Sequence, residues 1–446
     1  MSDGDPRLVF QGIARGARLL PALALAGALL GCGADAGPLP ACTTSCGAAV
    51  MMDFAASSGD FCRAPFPSDT RLRADGHVDL AGFPVGQGTD LVHRLLDLLG
   101  EEARGFGLSA GIYFKLDAAI DEATLPDLHG SVKESAQVFL IGVTPGAPDY
   151  LKRYPISVTF QPETSTFGTA NLLSLNPLQG VPLRPKSRYA AVVLRAVHGK
   201  DGRPLTPPAA LQSLLAGERP EGMSDLAFVS YGGALAALAE AKVDPSTLAG
   251  LTAFTTWDPT EDFGVVTEAM LAAPLPALSA PFTRKEVFDD FCVYEGAIPM
   301  PEYQQGSPPY AAAGGDWAFD AGGAPVLQRM EEARFVLTIP RRAMPAAGFP
   351  VVVMSRTGGG GERPLVDRGV QAMTGGAALV PGTGPALYFA RGGFAGSSVD
   401  GPHGGLRNVT HGDEQFLMFN VGNPRALRDN VRQSAAELVL QAHVLG

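Results

Sequence analysis

The sequence predicts an α+β protein of two domains, a β-sandwich-like N-terminal domain with helices and a following α/β domain. Three observations carry this expectation. From Pro65 onward short apolar runs alternate with turn signals, the spacing of an antiparallel sandwich. Between them lie stretches with apolar residues at three- and four-residue steps, the period of a helix packed by one face. Beyond residue 326 the apolar runs become nearly continuous and alternate with helix-compatible segments, as in strands buried on both faces.

In chain order, the runs around Ile112, Phe139, Val158 and Val192 are expected strands, and the segments starting at Leu91, Pro208, Leu226 and Thr260 are expected helices. The Pro-, Gly- and Tyr-rich stretch from Ile298 to Trp317 has the composition of a linker. ARFVLTIP, FPVVVMS and FAGSSVDG are the expected strands of the second domain. The last helix has Asn423 as its cap and Pro424 at its first position, where a missing N–H costs nothing. Leu427, Val431, Ala435, Leu438, Ala442 and Leu445 form its apolar stripe, expected to pack on a sheet. The expected boundaries are 1–31 signal segment, 32–62 flexible tether, 63–280 β-rich domain, 281–325 linker and 326–446 partial α/β domain.

Composition narrows the function classes. At 446 residues with 46% hydrophobic and 18% charged residues, the chain can bury two cores and is not a disordered sequence. The 55 glycines and 37 prolines argue for many turns and against a helical bundle. A net charge of −11 with no Lys/Arg run lacks the electrostatic footprint of nucleic-acid binding, so no nucleic-acid partner is expected.

Arg7, Arg15 and Arg18 precede an apolar run from Leu19 to Leu30. The basic start and short run read as a secretory signal, below the roughly 20 residues needed to span a bilayer. Leu29-Leu30-Gly31-Cys32 resembles the lipobox of bacterial lipoproteins, which implies lipidation of Cys32 and an anchored, exported protein; Gly33 beside it implies outer-membrane sorting. Cys42, Cys46, Cys62 and Cys292 are then an even set in an oxidising compartment, which suits two disulfides. Three pairings are open, and one bridge is expected to tie the N-terminal segment to Cys292. A cysteine-only zinc site is the competing use.

The candidate chemistry lies in the second domain. SRTGGGGE, Ser355 to Glu362, follows an expected strand, and the amides of Gly358, Gly359 and Gly360 can approach an oxyanion with no side chain in the way. A purely structural loop is the competing use. A phosphate loop would need Lys then Ser or Thr after the glycines; Glu362-Arg363 stands there, so no nucleotide and no other cofactor is expected. Asp400, His403, His411 and Asp413, with Glu414, are the one dense group of possible metal ligands, although their spacing matches no defined zinc or calcium motif. The other histidines, His77, His93, His129, His198 and His443, are isolated.

The strand and glycine loop resemble the oxyanion-loop segment of α/β-hydrolases with the HGGG-type motif, with Ser355-Arg356-Thr357 where a histidine usually stands. FAGSSVDGPHGGLRN resembles the next strand and loop, and FNVGNPRALRDNVRQSAAEL the helix that precedes the nucleophile strand. PFPSD at Pro65, GFGLSAGIYF at Gly105 and FTTWDPT at Phe254 are similar to the N-terminal domain of the exported bacterial lipase group. The resemblance spans roughly residues 63 to 446. It implies an ester hydrolase acting on lipids or other acyl esters, with a G-x-S-x-G nucleophile, an acid and a histidine in later segments. The expectation is that the chain stops before them and has no triad-dependent activity alone. Gly107-Leu108-Ser109-Ala110-Gly111 matches G-x-S-x-G literally. It lacks the strand-before, helix-after setting of a nucleophile elbow, so Ser109 is expected to be a decoy. A non-catalytic binding or structural lipoprotein of the cell envelope is the alternative.

Overall fold

The computed structural model describes residues 47–55, 61–86, 90–166, 168–355, 363–367, 372 and 378–446. It is an α+β structure with three sheets. The strands are β1 Ile112–Lys115, β2 Val138–Gly142, β3 Arg153–Tyr154, β4 Ile156–Gln161, β5 Leu172–Pro177, β6 Arg188–Leu194, β7 Leu248–Thr255, β8 Ala280–Val287, β9 Phe291–Glu302, β10 Arg329–Pro340, β11 Val351–Val353 and β12 Ala395–Val399. The helices are α1 Asp90–Glu102, α2 Ala209–Leu215, α3 Asp225–Glu240, α4 Glu261–Ala272, α5 Pro364–Asp367, α6 Pro385–Gly392, α7 Glu414–Met418 and α8 Pro424–Leu445.

The first domain packs an antiparallel three-stranded sheet, β1-β5-β4, and an antiparallel four-stranded sheet, β3-β2-β6-β7, into one continuous core. All five residues of β2 are buried, as are the first seven of β7. Strands covered on both faces read as unbroken apolar runs rather than alternating ones. The segment 47–55, expected to belong to a flexible tether, is instead part of this core. Val50 and Met52 are buried, and Val50 pairs with Leu116 in a β-bridge. Gly250 of β7 leaves room for it, since a Cβ there would lie 2.9 Å from a Val50 methyl.

Three motifs far apart in sequence meet at one place in this domain. Phe106 donates its amide to the Thr255 carbonyl and accepts from the Trp257 amide. Gly105 makes the approach with φ at +142°, where a Cβ would lie 2.9 Å from both Thr255 O and Trp257 N; only glycine fits. Asp69 of PFPSD, 1% exposed, accepts from Thr255 N at 2.7 Å, Thr255 Oγ1 at 2.9 Å and Ser230 Oγ. PFPSD, GFG and FTTWD are therefore one latch that ties the N-terminal segment to α3 and β7.

The second domain has a five-stranded sheet in the order β8-β9-β10-β12-β11. β8, β9, β10 and β12 pair antiparallel in succession, and β11 joins β12 in parallel, Val352 opposite Gly396. The expected linker 281–325 is corrected here: β8 and β9 are part of the sheet, and β9 pairs with β10 along twelve residues. Pro299 and Pro301, which made this stretch read as a linker, lie where β9 has β10 on one side and no longer has β8 on the other. Proline is tolerated at such an open edge.

α8 starts as its sequence indicates, with Asn423 Oδ1 accepting from the Ala426 amide. The face it buries, however, is not the expected apolar stripe. Asp429, Asn430, Gln433, Glu437 and Gln441 are buried, while Val431 is 47% exposed and Ala442 is exposed. The polar face wins because each group finds a partner: Asp429 accepts from Trp317 N at 3.0 Å, Gln433 Oε1 from Trp317 Nε1 at 2.9 Å, and Gln441 donates to Ser397 Oγ at 2.7 Å. Hydrogen bonds offset much of the cost of burying polar groups. The arginines at the start of α8 reach the first domain, where Arg425 pairs with Glu101 and Glu102, and Arg428 with Glu102.

Cys292 is a free, half-buried thiol on β9, so the bridge expected between it and the N-terminal segment is absent. Cys62 is disulfide-bonded. Cys32, Cys42 and Cys46 lie outside the described residues.

Candidate functional site

The parallel pair β11-β12 brings two chain segments to the same end of the sheet, Met354 and Ser355 beyond β11 and Asp400 beyond β12. In open sheets with parallel strands, loops at carboxyl ends are where ligands meet the backbone. Arg334, Val336, Met354, Ser398, Val399 and Asp400, together with Arg363 and the α5 residues Pro364, Leu365 and Val366, line a concavity there. Its volume is about 20 Å³, enough for one water.

Two guanidinium groups line this concavity. Arg334 Nη2 lies 3.3 Å from Asp400 Oδ1, and the backbones are joined by Asp400 N donating to Arg334 O at 3.0 Å. Asp400 Oδ2 also accepts from Leu406 N at 3.0 Å. Gly405, at φ +50°, permits this turn, since a Cβ would fall 2.1 Å from Asp400 Oδ2. Arg363 makes a bidentate pair with Glu286, both contacts at 2.8 Å, which holds its guanidinium charged more firmly than usual. Bidentate geometry of this kind fixes orientation as well as charge. The oxyanion-loop candidates Gly358, Gly359 and Gly360 lie between these arginine and strand ends in sequence but outside the described residues.

Behind the loop sits a buried charge cluster that sequence reasoning missed. Arg407, 0% exposed at its side chain, contacts Glu437 at 2.6 Å, Glu331 at 2.7 Å and Glu302 at 3.0 Å. Arg329 neutralises Glu331 from the other side at 2.6 Å. Burial pushes Glu302 up from 4.5 to about 8, against the pull of Arg407. Burial raises Glu437 too. Glu331 is also penalised by burial, but Arg407 and Arg329 together outweigh that and hold it below the usual range. A signal was present, because Asp429, Gln433, Glu437 and Gln441 form a polar stripe at four-residue steps on α8; a solvated helix face gives the same pattern, so the stripe alone names no buried partner.

The four metal candidates do not converge. Asp400 is engaged by Arg334, and Asp413 caps α7 by accepting from Gln415 N at 2.9 Å. His403, at φ +58°, is 3% exposed and shares Asn430 Oδ1 at 3.1 Å. Asn430 Nδ2 donates to Leu417 O and Met418 O, so its Oδ1 can only accept and the His403 proton sits on Nε2. Burial lowers the His403 pKa and keeps the ring neutral. His411 lies exposed in the following loop. Among the described residues no group of three or more His, Cys, Asp or Glu is placed to hold a metal ion.

Ser109 is exposed in a turn that leads into β1 and is followed by no helix. Among the described residues no serine is hydrogen-bonded to a histidine, the contact on which serine activation depends. Among them too, no helix is long and apolar enough to cross a membrane.

The buried cluster makes a pH prediction. Glu302 is protonated more readily folded than unfolded, so its contribution stabilises the fold at low pH and is lost as pH rises from 4.5 towards about 8. Urea unfolding followed by Trp317 fluorescence in a Trp257→Phe background is expected to give a second domain less stable at about pH 9 than at about pH 6. Glu302→Gln should flatten that slope, and an unchanged slope would show that other groups set it. Against this geometry, no protein-family model and no curated protein matches the chain.

Proposed function

We propose that the chain is an exported, lipid-anchored protein of the α/β-hydrolase superfamily, with the carboxyl ends of β11 and β12 as its acyl-ester side. One observation carries this reading: the sheet order β8-β9-β10-β12-β11, with β10 antiparallel to β12 and β11 parallel to it. β12, the last strand in sequence, lies between β10 and β11, so the chain crosses over through α6 rather than adding strands in order. That crossover brings Met354 and Ser355, which follow β11, to the same end of the sheet as Asp400, which follows β12. Backbone amides there would polarise an acyl carbonyl.

Catalysis of acyl transfer needs in addition a nucleophile with its base in reach, and the described residues hold no such pair. The reading therefore predicts ester recognition without turnover. In an assay with a chromogenic acyl ester, the purified chain should hydrolyse no faster than buffer, and Ser109→Ala should change nothing. Enzyme-level turnover that persists in Ser109→Ala would reveal another nucleophile and contradict the reading. A binding lipoprotein without any hydrolase ancestry is the second reading. What favours it is the first domain's single large core and aromatic cavity.

A further inference from the structure

The buried cluster behind the candidate site does not balance in charge. Three carboxyl groups meet there, Glu302 from β9, Glu331 from β10 and Glu437 from α8, with two guanidinium groups, Arg329 from β10 and Arg407 from the loop after β12. Among the described residues no third cation stands within 4.0 Å of these carboxylates. The other groups that face them supply no positive charge. The Gln304 amide donates to Glu302 Oε1 at 2.9 Å, Gln433 donates to Glu437 Oε1 at 2.8 Å, Tyr310 places its hydroxyl on Arg329, and His403 is neutral. The Asp400 carboxylate turns to Arg334 instead, and only its backbone carbonyl meets Arg407, at 3.3 Å. In a site closed to water, two cations offset two carboxylates, so the cluster keeps one proton among its three carboxyls. Burial pushes Glu302 and Glu437 up, in the direction this count requires.

The elements that meet at the cluster are not held equally. β9 and β10 pair over twelve residues, and α8 runs for 22. Arg407 comes instead from the loop between β12 and α7, where Leu406 and Val409 are 59% and 60% exposed. A segment with so few buried apolar contacts opens at lower cost than the strands beneath it. What holds it down is the guanidinium, bidentate on Glu437 at 2.6 and 3.0 Å and donating through Nε to Glu331 at 2.7 Å.

We propose that Arg407 is a proton-controlled latch: while the three carboxyls share one proton the loop 401–412 stays closed, and loss of that proton opens it at the Asp400 end of the candidate site. Opening carries the guanidinium outward and lets water reach the carboxyls, which return to their ordinary range. The closed form therefore binds the proton more tightly than the open form. It is fully favoured below about pH 4.5 and loses ground as pH rises towards about 8. The latch involves no ligand, so it stands apart from the ester reading.

Amide hydrogen exchange on the whole chain, divided by the unstructured-peptide rate at each pH, tests this. The reporters are Leu406, Arg407 and Asn408, whose amides donate to Asp400 Oδ2, Gly404 O and Gly405 O. Their protection is expected to fall about fiftyfold between pH 6 and pH 8, and to stay below that of the β9-β10 ladder at each pH. Glu302→Gln and Glu437→Gln each leave two carboxylates against two cations, so either should hold loop protection constant within about threefold over the same range. The two variants alter different elements, so a folding defect in one leaves the other informative. Protection that rises with pH would mean that the added negative charge only grips Arg407 harder, and overturns the proposal. So does loop exchange equal to that of the ladder at every pH, which is global unfolding, or a pH dependence that survives in a folded variant.

Discussion

Replacing Arg407 by alanine is expected to destabilise the second domain by about 3–5 kcal/mol at neutral pH. Among the described residues Arg407 is the only cation in contact with both Glu302 and Glu437 at 3.0 Å or less, and its side chain is fully buried. Without it both carboxyl groups stay desolvated and lose the guanidinium that pairs them, so the loss comes chiefly from buried groups left unpartnered rather than from the attraction itself. That account makes a second, less intuitive demand. The combined variant Arg407→Met, Glu302→Gln, Glu437→Gln should recover most of the loss, because it removes cation and carboxylates together while Arg329 continues to pair Glu331. Urea unfolding monitored by Trp317 checks both. If Arg407→Ala costs less than about 1 kcal/mol, the cluster behaves like a hydrated surface network and the burial argument fails.

Asp69→Ala is expected to cost the first domain about 3 kcal/mol, since it strands the buried Thr255 amide and leaves the Ser230 and Thr255 hydroxyls to find other partners. Asp69→Asn should cost less, as an amide oxygen can still accept from Thr255 N. The Trp257 signal in a Trp317→Phe background reports this transition, because Trp257 packs against the first core. Equal effects of Ala and Asn would mean that charge, through Arg188 at 3.8 Å, rather than hydrogen bonding, is what the site uses.

Much of the scaffold could be read from local pattern. Runs around Phe139 and Val192 are apolar enough to name buried strands, and the Asn423-Pro424 start of α8 is set by capping chemistry within four residues. What stayed hidden depends on partners distant in sequence. β9 looks like a linker until β10 is placed beside it, for then its prolines fall on an open edge. The buried face of α8 is polar because Trp317, Arg407 and Ser397 arrive from three other segments. The motifs PFPSD, GFG and FTTWD were recognisable separately, yet their joint role needs the contact of Asp69 and Phe106 with Thr255. The Asp400 to Asp413 group is dense in sequence for an unrelated reason, as a helix cap and an arginine partner happen to share one loop.

The central claim is that acyl esters are recognised at the carboxyl ends of β11 and β12 by a chain that does not cleave them. Amide chemical-shift mapping with phenyl acetate, in a labelled sample, tests it most directly. The prediction is saturable shifts at Met354, Ser355, Leu365, Ser398 and Asp400 with the ester intact at the end of the titration. Shifts confined to the first domain, or release of phenol above the buffer rate, would contradict it.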